Sequence, residues 1–172
     1  MTTAAIKHDI EDTLNIYRDL LDTIPDEQFD VAPDDGGWSY AETYSHILQA
    51  TIGSTIAAER CANGTCEPTK EGLSWVGRLA LWFGHLPRVK TPPAESAKIP
   101  VKKITKEDAR NLIIKCRSRI EIIAPKMKEA SRTSRFRHSR LGMLDARQWF
   151  KFILIHLKHH LKQIERLQNK FA

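Results

Sequence analysis

The chain has 172 residues, 41% hydrophobic and 28% charged, enough apolar material for a core and too much for a disordered tail or a collagenous chain. Its 27 Lys and Arg against 21 Asp and Glu leave a formal net charge of +6, which permits anionic ligands without demanding nucleic acid. Three cysteines cannot build a disulfide framework and suit a reducing, cytoplasmic setting. No apolar run reaches bilayer length, and the N-terminus lacks a basic segment followed by an apolar one, so neither a membrane span nor a secretory leader is expected.

Four segments carry helical periodicity, and together they predict one helical domain over residues 1–172. In the first, residues 4–24, Ile6, Ile10, Tyr17, Leu20, Leu21 and Ile24 build one face. Pro25 ends it, and a loop through Pro33 and the Asp34-Asp35-Gly36-Gly37 cluster follows. The second helix starts at Ser39, where Ser39-Tyr-Ala-Glu42 spells a capping box. From Thr43 to Ala58 there is no Lys, Arg, Asp or Glu, so this helix is expected to be enclosed on most sides.

Residues 63–104 interrupt the pattern. Residues 73–86 hold Trp75, Val76, Leu79, Trp82 and Phe83 and predict a short helix, its aromatics read first as packing. Pro87, Pro92, Pro93 and Pro100 then impose an extended connector. A third helix begins after Thr105, with Asp108 completing its cap, and Pro125 should kink it near its end. Residues 126–140 read as a basic loop with Lys126, Lys128, Arg132, Arg135, Arg137 and Arg140, usually a solvated surface. A fourth helix runs from about residue 145 to 168, its apolar seam formed by Trp149, Phe150, Ile153, Leu157, Leu161, Ile164 and Leu167. No strand-like alternation of any length is visible. The fold class expected is all-α, an antiparallel four-helix bundle with a long crossover and a short cap helix between helices two and three.

The seven histidines separate by angle. With the seam of the fourth helix as zero and ~100° per residue, His160 lies ~40° off, His156 ~80° and His159 ~140°, toward the polar side. His156 and His160 are thus an inward i, i+4 pair, a spacing at which two imidazoles reach one metal ion. His46 sits mid-way along the uncharged helix beside Thr43, Ala50, Gly53 and Ala57, small residues that leave room for its ring or admit another helix. A single inward histidine is more often structural than a ligand; three on two helices point to a metal site. His8 reads as exposed, and His85 and His138 as loop residues without a role. Cys61 and Cys66 have no second pair to complete a metal or redox motif, and Cys116 reads as a small core hydrophobe. Glu42 either caps its helix or orients His46, and Gln163 is placed to hold a ligand ring.

Two stretches resemble the DinB-like (YfiT/DinB) superfamily of metal-binding four-helix bundles. Trp38-Ser-Tyr-Ala-Glu-Thr-Tyr-Ser-His46-Ile-Leu is similar to the family's W-S-x-x-E/Q-x-x-x-H-L/I start of helix two. Trp149-Phe-Lys-Phe-Ile-Leu-Ile-His156-Leu-Lys-His159-His160-Leu-Lys-Gln163-Ile164 is similar to its H-x-x-H-H-x-x-Q-I signature on the last helix. His138-Ser-Arg-Leu-Gly142 is similar to a subfamily loop written H-P-x-F-G, with Ser139 and Leu141 departing from it. The resemblance implies a divalent metal on His46, His156 and His160, with His159 beside the site; its identity stays open among zinc, nickel, iron, manganese and copper, since histidine nitrogens suit several of them. It also implies a small-molecule substrate and a homodimer, since family members often pair; no nucleic-acid or membrane partner is expected, because no helix-turn-helix, zinc-finger or RNA-binding signature accompanies the basic stretch and no apolar run spans a bilayer. The family includes thiol S-transferases using bacillithiol or mycothiol. The expected function is therefore transfer of a metal-activated low-molecular-weight thiol to an electrophile. Metal-dependent hydrolysis, or metal binding without turnover, are the alternatives. The aromatic stretch from Trp75 to Phe83 would roof the pocket, and Arg78, Arg88 or the basic loop would hold the thiol's carboxylates. No residue is assigned as the reacting group.

Overall fold

The structure is a computed structural model that describes residues 1–34, 36–86 and 101–171. The elements run α1 (Thr3–Thr23), α2 (Asp26–Phe29), α3 (Tyr40–Ala62), α4 (Trp75–Phe83), α5 (Lys106–Ile123), β1 (Arg135–His138), β2 (Gly142–Asp145) and α6 (Ala146–Phe171). The four long helices, α1, α3, α5 and α6, form the expected bundle. Each starts where the chemistry of its first turn says it should. Thr2 and Ser39 accept hydrogen bonds from the backbone at Ala5 and Glu42, and Thr105 with Asp108 makes a second capping box. Asp145 and Gln148 cap α6 reciprocally, backbone N–H to side-chain oxygen in both directions at 2.9 Å.

Side-chain pairs give the helix directions. Between α3 and α5, Leu48 meets Cys116, Thr55 meets Arg119, and Glu59 meets Arg119 and Lys126; numbers rise together, so these helices run parallel. Between α1 and α5, Lys7 meets Glu121, Asn15 meets Arg117 and Asp22 meets Arg110, an antiparallel pair. Between α3 and α6, Tyr40 stacks on Phe171 and Cys61 reaches Leu144 just before α6, also antiparallel. It follows that α1 and α6 run the same way. Parallel neighbours cannot be joined by a tight turn, which is why α3 and α5 are separated by the long crossover. In the core, the buried Tyr17 hydroxyl donates to Leu157 O at 2.7 Å, and the Tyr44 hydroxyl donates to Tyr17 O at 2.9 Å. The two hydroxyls tie α1, α3 and α6 together.

Several expectations need correction. A helical turn, α2, occupies part of the loop after Pro25. Pro125 ends α5 rather than kinking it, and residues Ala124–Met127 wind on as a 3-10 turn. The basic stretch contains an antiparallel hairpin, with Arg135 opposite Asp145 and His138 opposite Gly142. α3 is less enclosed than its lack of charge suggests. Gln49, Gly53 and Ile56 are exposed, and a Cβ built on Gly53 meets nothing within 4 Å, so the small-residue face is open at Gly53 although Thr43 and Ala57 at its two ends are buried. The aromatics of α4 are not core. Trp75 and Trp82 are 74% and 83% exposed, while α4 buries Gly77, Ala80 and Leu81. The proline connector and Arg88 lie outside the described residues.

Candidate metal centre

The capping box that starts α3 sets the phase of that helix and places His46 one turn beyond Glu42. From α6, His156 and His160 project ~40° apart on one side of the helix. The three imidazoles meet. Ring centroids are 5.8 Å apart for His46 and His156, 5.0 Å for His46 and His160, and 4.5 Å for His156 and His160. One ring nitrogen from each lies within 4.8 Å of the others. Three nitrogens bound at ~2.0–2.1 Å to one tetrahedral ion stand ~3.4 Å apart, so the rings need to close by at most ~1.4 Å. Trp38, one residue before the cap of α3, lies against His46 with ring centroids 5.1 Å apart.

Two observations test whether these residues suit a metal. The first is His156 Nδ1, which is buried without a hydrogen-bond partner among the described residues. Such an atom costs about 1–3 kcal/mol unless something satisfies it, and a bound cation would. The second is protonation. Burial, reinforced by His160, His46, His159 and His138, holds His156 well below the ordinary imidazole range; burial chiefly takes His160 down to about 3, and burial lowers His46 as well. All three rings are therefore neutral at physiological pH, the form that binds metal. Gln163 holds His160 Nδ1 at 2.7 Å. With Nδ1 donating to the Gln163 oxygen, Nε2 keeps its lone pair for a ligand bond, the arrangement that fixes ring orientation around metal sites.

The sequence model of the DinB superfamily matches residues 9–164. The chain belongs to the DinB superfamily. Among solved structures, YfiT from Bacillus subtilis, described as a probable metal-dependent hydrolase with an unusual four-helix bundle topology, aligns with a TM-score of 0.65 at 14% identity, covering 98% of this chain and 87% of that one. TT2238, described as a four-helix bundle protein, aligns with a TM-score of 0.60 at 15% identity, covering 96% of this chain and 99% of that one. At these identities the likeness concerns the fold. No curated protein matches the chain.

The other candidates of this DinB-superfamily chain fall outside the cluster. His159 is half-buried with its ring 5.2 Å from that of His160, beside the site as its angle predicts. Glu42 accepts from Ser39 N–H at 2.9 Å and its hydroxyl at 3.0 Å, so it caps α3 and does not orient His46. His138 is not a loop residue. It ends β1, accepts the backbone N–H groups of Arg140 and Leu141 through Nδ1, and packs between Trp149 and Phe152. Gly142, where the turn enters β2, takes a φ of +88°. His85 is exposed, stacked on Phe83, and His8 is exposed beside Asp12. Cys61 and Cys66 are buried with sulfurs 3.8 Å apart, and burial pushes the Cys61 and Cys116 thiols up to about 12, the state of inert structural cysteines. The basic stretch is largely committed to structure: Lys126 bonds Glu59, Arg132 reaches Asp145, Arg137 reaches Glu71, and Arg135 donates to the Glu71 carbonyl.

Proposed function

We propose that His46, His156 and His160 hold a divalent metal ion and that the protein uses it to activate a low-molecular-weight thiol for attack on an apolar electrophile. The observation that carries this reading is the composition of the cluster: three neutral imidazoles, one with an orphaned Nδ1, and no carboxylate or thiolate among the described residues that form it. Such a set leaves the ion its full positive charge and an open position. An ion held there supplies Lewis-acid charge that lowers the pKa of a thiol or a water presented to it. The chain's own part is to fix three ligands on two rigid helices, with Gln163 aligning one ring and Trp38 flanking another. Its cysteines are buried and not needed as nucleophiles, and burial pushes the Cys61 and Cys116 thiols up.

A thiol is favoured over water because a thiol loses its proton more readily without a general base, and Glu42, the carboxylate nearest to His46 in sequence, has Oε2 committed to the cap of α3. Hydrolysis stands as the second reading, on the description of YfiT. The experiment compares metal-loaded, chelated and His46→Ala protein with a panel of physiological thiols and a reporter electrophile, and in parallel with ester and amide substrates. The expected result is a metal-dependent rate with a thiol that chelation and His46→Ala both remove. Hydrolysis alone would replace the first reading with the second. Stoichiometric metal with neither activity would leave a binding protein without turnover.

A further inference from the structure

The hairpin brings its turn to the flank of the metal centre. His138, at the end of β1, lies 4.7 Å from Phe152, and Phe152 lies 5.5 Å from His156, ring centroid to ring centroid. The backbone that follows is held from both sides. His138 Nδ1 accepts the N–H groups of Arg140 and Leu141 at 3.1 and 3.2 Å. The Ser74 hydroxyl donates to Arg140 O at 2.9 Å, and Ser74 N–H donates to Leu141 O at 2.8 Å. Gly142 closes the turn at a φ of +88°, where a Cβ would come within 2.5 Å of Ser74 N. Only glycine fits there, so the turn is locked.

What the locked turn presents is a guanidinium. The Arg140 side chain is exposed and has no hydrogen-bond or ion-pair partner among the described residues. Most of its basic neighbours are spent: Lys126 on Glu59, Arg132 on Asp145, Arg135 and Arg137 on Glu71. Lys128 is not, but its carbonyl is held by Arg147, which stands ~180° from His156 around α6. Arg78 is also on the wrong side. It borders the same open depression as Leu81, Trp82, Arg147 and Lys151, so this part of α4 does not roof the histidines. Arg140 is placed differently. It is among the charges that, after burial, hold His138 and His159 below the ordinary imidazole range, and the His159 ring lies 5.2 Å from that of His160. Lys162 and Arg166 also act on His159, but they project ~120° and ~80° away from His156 around α6.

A guanidinium takes a carboxylate in two parallel hydrogen bonds, a match of shape as well as of charge. We infer that Arg140 binds a carboxylate on the thiol taken by the metal centre, so that the thiol substrate is an anionic one, a mercapto acid, rather than a neutral or cationic one. This inference rests on the metal-and-thiol reading above and names the substrate class of that site. Ser74 and His138 fix the backbone from which the guanidinium extends, which lowers the ordering cost of the contact.

Cobalt(II)-loaded protein tests this through binding rather than turnover. Coordination of a thiol, its proton passing to the buffer, is followed by the thiolate-to-cobalt charge-transfer absorption. The probes are 3-mercaptopropionate and 6-mercaptohexanoate, with 2-mercaptoethanol and cysteamine as the neutral and cationic controls. Arg140→Ala should weaken at least one mercapto acid ~tenfold or more, the loss expected for a charge-assisted contact, and leave 2-mercaptoethanol unchanged. Arg140→Glu should weaken the mercapto acids further and strengthen cysteamine. The side chain is exposed, so both variants should keep the helical circular dichroism and the cobalt stoichiometry of the parent. If cobalt does not bind, or no thiol produces the band, the metal-and-thiol reading falls and this inference with it. If thiols bind but the mercapto acids lose nothing in Arg140→Ala, or lose no more than 2-mercaptoethanol does, the assignment of Arg140 alone is overturned.

Discussion

His156 Nδ1 is buried without a hydrogen-bond partner among the described residues, yet its ring lies 4.5 Å from that of His160 and 5.8 Å from that of His46. A core built for stability alone would place a leucine there and avoid the desolvation cost. The arrangement makes sense if the partner is an ion, and then each histidine has a separate consequence. His156→Ala combined with His160→Ala should abolish stoichiometric metal binding, measured by elemental analysis after dialysis, while His159→Ala keeps most of it because its nitrogens are not among the three that converge. Loss in the His159 variant with retention in His156→Ala would refute the geometry. Gln163 touches only the back of His160, so Gln163→Ala should weaken metal affinity ~10–100-fold without abolishing it. Gln163→Glu, which keeps an acceptor oxygen, should recover much of that loss in the same metal titration.

Whole elements differ in how openly they were written in the sequence. The long helices were legible because their caps are local chemistry: Ser39 with Glu42, and Thr105 with Asp108, form the boxes their spacing predicts. The hairpin was not. Its strands have four residues each, Phe136 sits between arginines, and Gly142 also bridges to Leu73 across the crossover, a contact no local pattern encodes. The outward face of α4 was equally hidden, because its apolar residues look like core until the helix is seen to pack through glycine and alanine. Gly77 is where that packing is tightest, since a Cβ there would come within 2.3 Å of Leu141 O. Backbone cannot yield as a flexible side chain can. Gly77→Ala is therefore expected to lose about 1–3 kcal/mol, the usual cost of overpacking, read as a lower urea midpoint, with α4 becoming susceptible to proteolysis. Unchanged stability would mean that α4 docks less rigidly than its contacts imply.

For the molecule as a whole, the site's histidines set a pH dependence that runs through folding. Burial lowers His46, His156 and His160, and also His138 and His159, from the ordinary value of 6.5, with His160 reaching about 3. A base whose folded pKa is depressed binds protons more readily when unfolded. Stability is then full above the unfolded value and falls as pH drops from 6.5 toward the folded values. The depressed carboxylates Glu59 and Asp26 start from 4.5 and 3.8, so they contribute only lower down. The interval between the two ranges belongs to the histidines. Metal-free protein should therefore lose stability in urea between about pH 6.5 and about pH 5, with the unfolding slope against denaturant unchanged. Replacing the most buried member, His156→Leu, should make the fall across that interval shallower, the other histidines still contributing, while leaving the fall at more acid pH in place. A bound divalent ion deepens the contrast, because protons compete with it for the same nitrogens. Loaded protein should gain stability at neutral pH and lose the gain across the same interval. A metal-free protein equally stable at both pH values would mean that the three rings are wetter than the folded bundle shows.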